Sequence, residues 1–360
     1  MAASATIRER RGALVALTAE DGHTGWGDCA PLPSSGAARH ERVLAVLAEL
    51  AGLLPGAVAA RAVAQAEALS CPPEVRWALE TALCDLAARR RQVPLAVFLG
   101  APEAGSVAVN AALGPLDEGC AERAADALAR GFRVAKVKVG VAEPEIELER
   151  LRAVDEAVGG RLTLRLDANR AFREPVARRF LAGCARLPVE AVEEPLAAPT
   201  AAALAALQAR LPFAVAVDES LPELGLEALL AAGGVRRLVV KPARLGGVAA
   251  TCELAARARA AGLELVLTSV VDSTIGVTAA AHLAAALAPE LAHGLATLDW
   301  LAADVAPSPP LVAGRLLLGE GPGLGRAPGG EPAQEQPVGL AGGEPGQGRD
   351  PHRRPRSQRR

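Results

Sequence analysis

The rhythm of apolar and polar positions changes twice along the chain. Residues 12–28 read as a hairpin. Ala13-Leu14-Val15-Ala16-Leu17-Thr18 is an apolar strand, Glu20-Asp21-Gly22 is turn chemistry, and Thr24-Gly25-Trp26-Gly27-Asp28 returns. Helical periodicity follows over 39–53, 59–68 and 73–90, the last carrying Trp77, Leu79, Leu83 and Leu86. This predicts an α+β unit over residues 1–100. From residue 107 short apolar runs end in polar residues, and each is followed by an Ala/Leu/Arg-rich helix. The runs are Val107–Leu113, Val134–Val139, Leu162–Asp167, Val189–Glu193, Phe213–Asp218, Val235–Lys241, Leu263–Thr268 and Leu291–Leu295. The helices between them are expected near 116–130, 144–158, 173–186, 200–210, 224–232, 247–261 and 275–287. Such alternation at near-equal spacing predicts an α/β fold with a TIM-like (β/α)7β-type barrel over 101–325. A doubly wound open sheet is the alternative, and the count of eight favours closure. After Gly325 periodicity is lost in Pro, Gly, Glu and Arg, so 326–360 is expected to be a disordered tail.

Composition narrows the class. The 360 residues suffice for one barrel and a smaller partner, and the net charge of -2 argues against a dedicated nucleic-acid binder. The basic end of the tail is expected to be a solvated appendage; nucleic-acid binding through it is a weaker reading. No apolar h-region follows MAASATIRERRG, and no charge-free apolar run is long enough to span a bilayer. The protein is expected to be cytoplasmic, without a membrane partner. Cys29, Cys71, Cys84, Cys120, Cys184 and Cys252 are widely spaced and expected to be free thiols. Of the 39 basic residues only Lys136, Lys138 and Lys241 are lysines. Where arginine dominates so fully, a remaining lysine points to positions that need an amine able to lose its proton.

Those lysines fall in a pattern with carboxylates. Lys136 and Lys138 end the second run, Asp167 the third, Glu193 the fourth, Asp218 the fifth and Lys241 the sixth. Barrel active sites are built at that face of the strands. A single Asp closing a strand is more often a cap or turn residue, but five successive charged ends are harder to explain by capping. Three converging carboxylates repel unless a hard divalent cation neutralises them, which points to Mg²⁺, with Mn²⁺ as the other choice. Lysines on flanking strands then face each other across that cation. The chemistry this suits is proton abstraction α to the carboxylate of a small-molecule substrate. Within KVK, strand alternation puts both lysines on one face, and Lys138, nearer the end, is the better base. Lys136 is expected either to depress the pKa of Lys138 or to neutralise a carboxylate.

The segments KVK, LRLDANRAF, VEEPL, VDES and VVKPARLGG, in that order, resemble the muconate lactonizing enzyme branch of the enolase superfamily. GWGDCAPLP is similar to its N-terminal capping domain, and the resemblance covers roughly residues 10–325. It implies Mg²⁺ on Asp167, Glu193 and Asp218, with Lys138 and Lys241 on opposite faces of the substrate. Asn169 and Glu219 then fit roles that orient the ligands and Lys241. The family's first strand and the mobile loop after it look shortened here, which leaves open a truncated N-terminus or a catalytically decayed barrel.

LRLDANRAF, EEPL, DESL and HGLATLDWLAADV resemble the o-succinylbenzoate synthase group. This implies dehydration of 2-succinyl-6-hydroxy-2,4-cyclohexadiene-1-carboxylate in menaquinone biosynthesis, through a metal-stabilised enediolate. Lys138 is the base, and Lys241 stays protonated and stabilises the intermediate by a cation–π contact. Racemisation of N-succinylamino acids or epimerisation of dipeptides is the alternative, with muconate-type cycloisomerisation behind it. Dipeptide epimerases of this family carry Asp-x-Asp on the eighth strand, and Leu295-Ala296-Thr297-Leu298-Asp299 lacks that pair. Ser269 and Asp272 are expected to border the substrate, with a turn-forming role open for Asp272. A homo-oligomer is possible on this reading.

Overall fold

In the computed structural model, which describes residues 9–329, the hairpin forms as expected. Strands β1 (Ala13–Thr18) and β2 (Thr24–Cys29) pair antiparallel, Thr18 opposite Thr24 and Ala13 opposite Cys29. Helices α1 (Ala37–Leu53), α2 (Ala59–Ala68) and α3 (Pro73–Arg90) complete this layer. Its own small core gathers Cys29, Val43, Leu50, Val75 and Leu79. The glycines of GWGDC have a steric purpose. A Cβ on Gly25 would lie 2.1 Å from the Ala82 carbonyl oxygen, and one on Gly27 would lie 1.9 Å from that of Ala78. β2 therefore packs on the α3 backbone at a distance only glycine permits.

The remaining strands are β3 (Ser106–Ala108), β4 (Ala111–Pro115), β5 (Val134–Lys138), β6 (Thr163–Asp167), β7 (Val189–Glu193), β8 (Ala214–Val217), β9 (Arg237–Val240), β10 (Glu264–Leu267), β11 (Leu311–Val312) and β12 (Arg315–Leu317). β4 to β10 form one curled seven-stranded parallel sheet in chain order, with helices on its outside. The six strands from β5 to β10 lie within two residues of the expected runs. They are legible because parallel strands buried on both faces read as apolar runs.

Two expectations change. The run Val107–Leu113 is divided: β3 pairs antiparallel with β12 of the β11–β12 hairpin, and only β4 joins the parallel sheet. Residues 106–108 find their partners some two hundred residues on, in a hairpin without a sequence signal. The eighth run forms no ladder. His293 makes a single parallel bridge to Val109, and Gly294 one to Thr268, so the segment lies between the two edges of the sheet. The His293 ring replaces part of the missing ladder: Nδ1 accepts from the Leu267 backbone N–H at 3.0 Å and Nε2–H donates to the Ala288 carbonyl at 3.0 Å. Burial lowers its pKa to about 4, so it holds these bonds as a neutral ring. Residues 326–329, at the head of the expected tail, contact the preceding fold. The Arg326 carbonyl accepts from Arg89 Nη2 at 2.6 Å and Gly329 N–H donates to Val305 at 3.1 Å. Residues 330–360 lie outside the described residues.

α3 fastens the N-terminal layer to the sheet domain through buried carboxylates. Glu80 Oε2 accepts from Ala249 N–H at 2.8 Å, at the start of helix Val248–Ala260. Asp85 accepts from Trp26 N–H at 2.9 Å, Leu324 N–H at 2.6 Å and Arg89 Nε at 2.9 Å. All six cysteines are free. No helix among the described residues is long and apolar enough to cross a membrane.

A methyl group between β2 and α3 has nowhere to go, because the atoms it meets are backbone. Gly27→Ala is expected to cost about 3 kcal/mol or more of unfolding free energy in urea titrations. Gly52→Ala, in α1 with nothing within 4 Å of its added Cβ, is expected to stay within about 1 kcal/mol of the parent. Equal effects at the two sites would refute the close-packing argument.

Candidate active site

The parallel register sets the site. Lys138 is paired with Asp167, and Asp167 with Glu193, across β5, β6 and β7. Asp218 directly follows β8, and Lys241 directly follows β9. Along β5 the buried Ala135 and Val137 alternate with Lys136 and Lys138, so the two lysines share a face. They have different surroundings. Lys136 Nζ lies 2.8 Å from Glu193 Oε1 and 3.0 Å from Asp167 Oδ2. Burial alone would pull its pKa down, but the two carboxylates outweigh burial and hold it above the ordinary lysine value. Lys136 thus neutralises both acids. Burial in turn raises the pKa of Glu193, with Lys136 opposing.

Among the described residues Lys138 Nζ donates to the neutral Asn169 Oδ1, at 2.7 Å, and to no carboxylate. Asn169 is in the left-handed region at φ 42°, and its N–H donates to Asp167 Oδ1 at 3.2 Å. Asparagine tolerates that conformation better than most residues. Lys241 Nζ donates to Asp218 Oδ2, with Glu219 Oε1 at 3.9 Å. Burial lowers its pKa to about 8; Lys136 and Arg244 push the same way and Glu193 opposes.

The second acid of VEEPL carries a duty the sequence did not reveal. Glu194 is buried, with φ 47°. Its Oε1 accepts from Asp218 N–H at 2.8 Å and Ser220 N–H at 2.7 Å. Oε2 accepts from Arg170 Nε at 3.1 Å and from the Ser220 hydroxyl. One carboxylate on β7's exit therefore fixes the backbone on which Asp218 stands. The only signal was the doubled acid, which gave no indication of its donors.

A cavity of about 840 Å³ opens beside these strand ends. Asp218, Glu219 and Lys241 line it from the sheet; Leu32, Ser34, Arg39 and Glu74 line it from the N-terminal layer. Lys138, Asp167 and Glu193 are not in its lining. From the loop after β10, Val270 reaches it, while the two residues expected to border a substrate turn elsewhere. The Ser269 hydroxyl shares a hydrogen bond with Thr297 Oγ1 at 2.8 Å. Asp272 Oδ2 accepts from Val270 N–H at 3.2 Å, a turn contact. Asp272 is buried beside Asp28 of β2, the two carboxyls flanking Gly276. Burial, reinforced by Asp28, raises Asp272 to about 7, with Arg10 opposing. Arg10 Nε donates to the Val271 carbonyl at 3.0 Å, and its guanidinium also reaches the Ala30 and Pro31 carbonyls. Neither Arg10 nor Asp28 stood out in the sequence, because each meets its partners only across the two layers.

Two family models match the chain: "Enolase C-terminal domain-like" over residues 119–331, and "Mandelate racemase / muconate lactonizing enzyme, N-terminal domain" over 1–100. The chain belongs to the enolase superfamily, in its muconate lactonizing enzyme branch. An L-Lys-D/L-Arg epimerase from Methylococcus capsulatus is 35% identical over 266 residues, 72% of this chain and 74% of that one. An o-succinylbenzoate synthase from Enterobacter sp. is 32% identical over 311 residues, 84% of this chain and 88% of that one. The crystal structure of a dipeptide epimerase from Cytophaga hutchinsonii, complexed with Mg and the dipeptide D-Ala-L-Val, superposes with a TM-score of 0.78 at 22% identity, covering 92% of this chain and 95% of that one. That last likeness is one of fold.

Enolase superfamily enzymes bind Mg²⁺. Among the described residues no three His, Cys, Asp or Glu side chains are gathered closely enough to hold a metal ion. The donor chemistry nevertheless fits one. Asp167 and Glu193 already bracket a single cationic atom, Lys136 Nζ, and Asp218 holds the ammonium of Lys241. Each strand-end acid is thus paired with positive charge, and hard carboxylate oxygens are the ligands Mg²⁺ prefers.

Two stability experiments follow from this geometry. Glu194→Ala strips three donors and Arg170 of their acceptor, and is expected to cost about 3 kcal/mol in urea unfolding. A loss below about 1 kcal/mol would sink the anchoring role. Asp272 has a folded pKa above the unfolded value, so the folded state binds the extra proton and stability falls as pH rises from about 4 through about 7. Asp272→Asn is expected to remove that slope and be more stable than the parent at pH 8 by a few kcal/mol, about 1.4 per pKa unit at most. Parallel stability curves for the two proteins between pH 5 and 8 would rule it out.

Proposed function

We propose that the chain is a divalent-metal-dependent lyase of the o-succinylbenzoate synthase type, dehydrating 2-succinyl-6-hydroxy-2,4-cyclohexadiene-1-carboxylate. The carrying observation is the unequal partnering of the lysines. Lys136 is committed to Glu193 and Asp167, Lys241 to Asp218 with Glu219 at 3.9 Å, and Lys138, among the described residues, to a neutral amide oxygen alone. An amine that no carboxylate engages is sterically free to meet a substrate C–H, which is the geometry a base needs.

In this reading Asp167, Glu193 and Asp218 hold Mg²⁺, which would stabilise the negative charge that develops on the substrate carboxylate. Lys138 Nζ removes the proton from the carbon bearing that carboxylate and returns it to the departing hydroxyl. Asn169 Oδ1 positions Lys138 Nζ. Lys241 Nζ faces the developing charge as an ammonium; a pKa near 8 keeps most of it protonated at neutral pH. Asp218 and Glu219 hold it in place. The N-terminal layer shields the site as a cap, and the segment around His293-Gly294 completes the barrel.

Racemisation of N-succinylamino acids is the second reading, favoured by burial's lowering of Lys241 to about 8, since a neutral fraction could move protons at the opposite face. Dipeptides are less well served. Asp299, the acid of the eighth segment, pairs with Arg130 at 2.7 Å, and both are exposed.

With Mg²⁺ and the cyclohexadiene substrate, wild-type protein is expected to form the aromatic product. Lys138→Ala is expected to lower kcat by about 10²- to 10⁴-fold. Substantial dehydration by Lys138→Ala would exclude it as base. Proton exchange at Cα of N-succinylamino acids in D₂O without any dehydration would favour the second reading.

A further inference from the structure

We infer that Arg39, on α1 of the N-terminal layer, is a specificity residue that binds a second carboxylate at the far end of the substrate. The inference rests on the reading of Lys241 and Asp218 as the reacting end, because Arg39 lines the same cavity. The substrate class it selects is an acid with an anionic tail.

Much of the cavity lining is apolar, with Leu32 from the N-terminal layer and Leu221, Pro222 and Leu226 from the segment after β8. Within this lining the N-terminal layer presents one cation, Arg39, and one acid, Glu74. They are not equivalent. Glu74 has a side chain 9% exposed, and both its oxygens accept from Arg39 Nη2, at 2.9 and 3.0 Å. Its acceptor capacity facing the cavity is largely spent. The Arg39 side chain is 45% exposed, and only one of its three nitrogens is engaged by Glu74. A guanidinium carries five N–H donors in a planar fork suited to carboxylate. Arg39 therefore has donors left over, and Glu74 holds the fork in place.

Charge points the same way. Arg244 also lines the cavity and is exposed. The acids of the lining already face cations, Glu74 facing Arg39 and Asp218 and Glu219 facing Lys241, so the spare donors of the two guanidiniums favour an anionic tail over a cationic one. A tail ending in lysine or arginine would meet Arg39 and Arg244 and find Glu74 already occupied. A succinyl-type tail would meet Arg39 with its carboxylate and the apolar wall with its methylenes.

The test uses two probes of one shape, o-succinylbenzoate and 2-butyrylbenzoate, which differ only in the terminal carboxylate. Calorimetric titration of the full chain with Mg²⁺ present is expected to give an affinity about 10- to 100-fold higher for the dicarboxylate, the range of one charge-assisted hydrogen-bonded pair. Arg39→Gln is expected to erase the difference, and Arg39→Lys to keep part of it. Glu74→Gln is expected to widen it by releasing Arg39. The double variant Arg39→Gln/Glu74→Gln guards against a fold weakened by an unpaired buried acid, and is expected to behave like Arg39→Gln. Equal affinities of wild type for the two probes, binding of neither, or a preference that survives in both Arg39→Gln variants, would overturn the inference. Dehydration without tail preference would leave the synthase reading standing and this one refuted. Tail preference without turnover would do the reverse.

Discussion

Acids at the tips of adjacent parallel strands cannot be buried without cations beside them. That constraint organises the chain from residue 134 to residue 247. In-register pairing of β5, β6 and β7 forces Lys138, Asp167 and Glu193 into one row. At an effective dielectric near 20, two like charges about 4 Å apart cost about 4 kcal/mol. The protein answers with Lys136 between two of the acids and Lys241 on the third. The scarcity of lysine in an arginine-rich chain becomes intelligible at this point. A compact ammonium fits between two carboxylates on neighbouring strands, where a planar fork is too wide.

The same constraint extends outward through the backbone. Asp218 can sit beside Lys241 only if the turn after β8 is held, and Glu194 holds it through two backbone N–H groups and the Ser220 hydroxyl. Glu194 does so in a left-handed conformation, an arrangement costing on the order of 1–3 kcal/mol that its buried bonds offset. Farther out, α3 sets where the N-terminal layer rests. Its Glu80 caps the helix that follows Lys241-Pro242-Ala243-Arg244-Leu245-Gly246-Gly247, and a Cβ on Gly247 would lie 2.5 Å from that carboxylate. Gly247 thus leaves room for an acid from the other layer, while Gly246 supplies the positive φ of 113° that ends the preceding turn.

What the sequence made legible depended on whether the cause was local. β5 to β10 were readable as apolar runs, and the charged strand ends as breaks in those runs. β3's detour to β12 and the bridged His293-Gly294 segment were not, since their partners are contributed from distant parts of the chain. Site residues divide in the same way. Lys136, Lys138, Asp167, Glu193, Asp218 and Lys241 announce themselves as charge after apolar sequence. Glu194, Arg10 and Asp28 look like ordinary polar residues until the backbone groups they bind are in place. Asp272 shows the limit of position alone: it stands at the right place in the chain, and its carboxyl faces Asp28 instead of the cavity.

Enzymes of one superfamily that share a proton-abstracting half-reaction must differ in what happens on the second face and at the far end of the substrate. The two regions are physically separate here. Lys138, whose amine touches no acid, lies toward β6, outside the cavity, whereas Lys241 and its acids line it. A substrate whose carboxylate sits at the strand ends must therefore project its remainder past Lys241 toward α1. In the proposed reading, dehydration and racemisation part at Lys241's proton, which burial weakens and neighbouring Asp218 and Glu219 hold in place. Under the inference drawn from Arg39, the choice of substrate falls to the N-terminal layer, whose spare guanidinium donors line the cavity. On that reading chemistry and selection belong to different layers of the fold, and a change in one need not disturb the other.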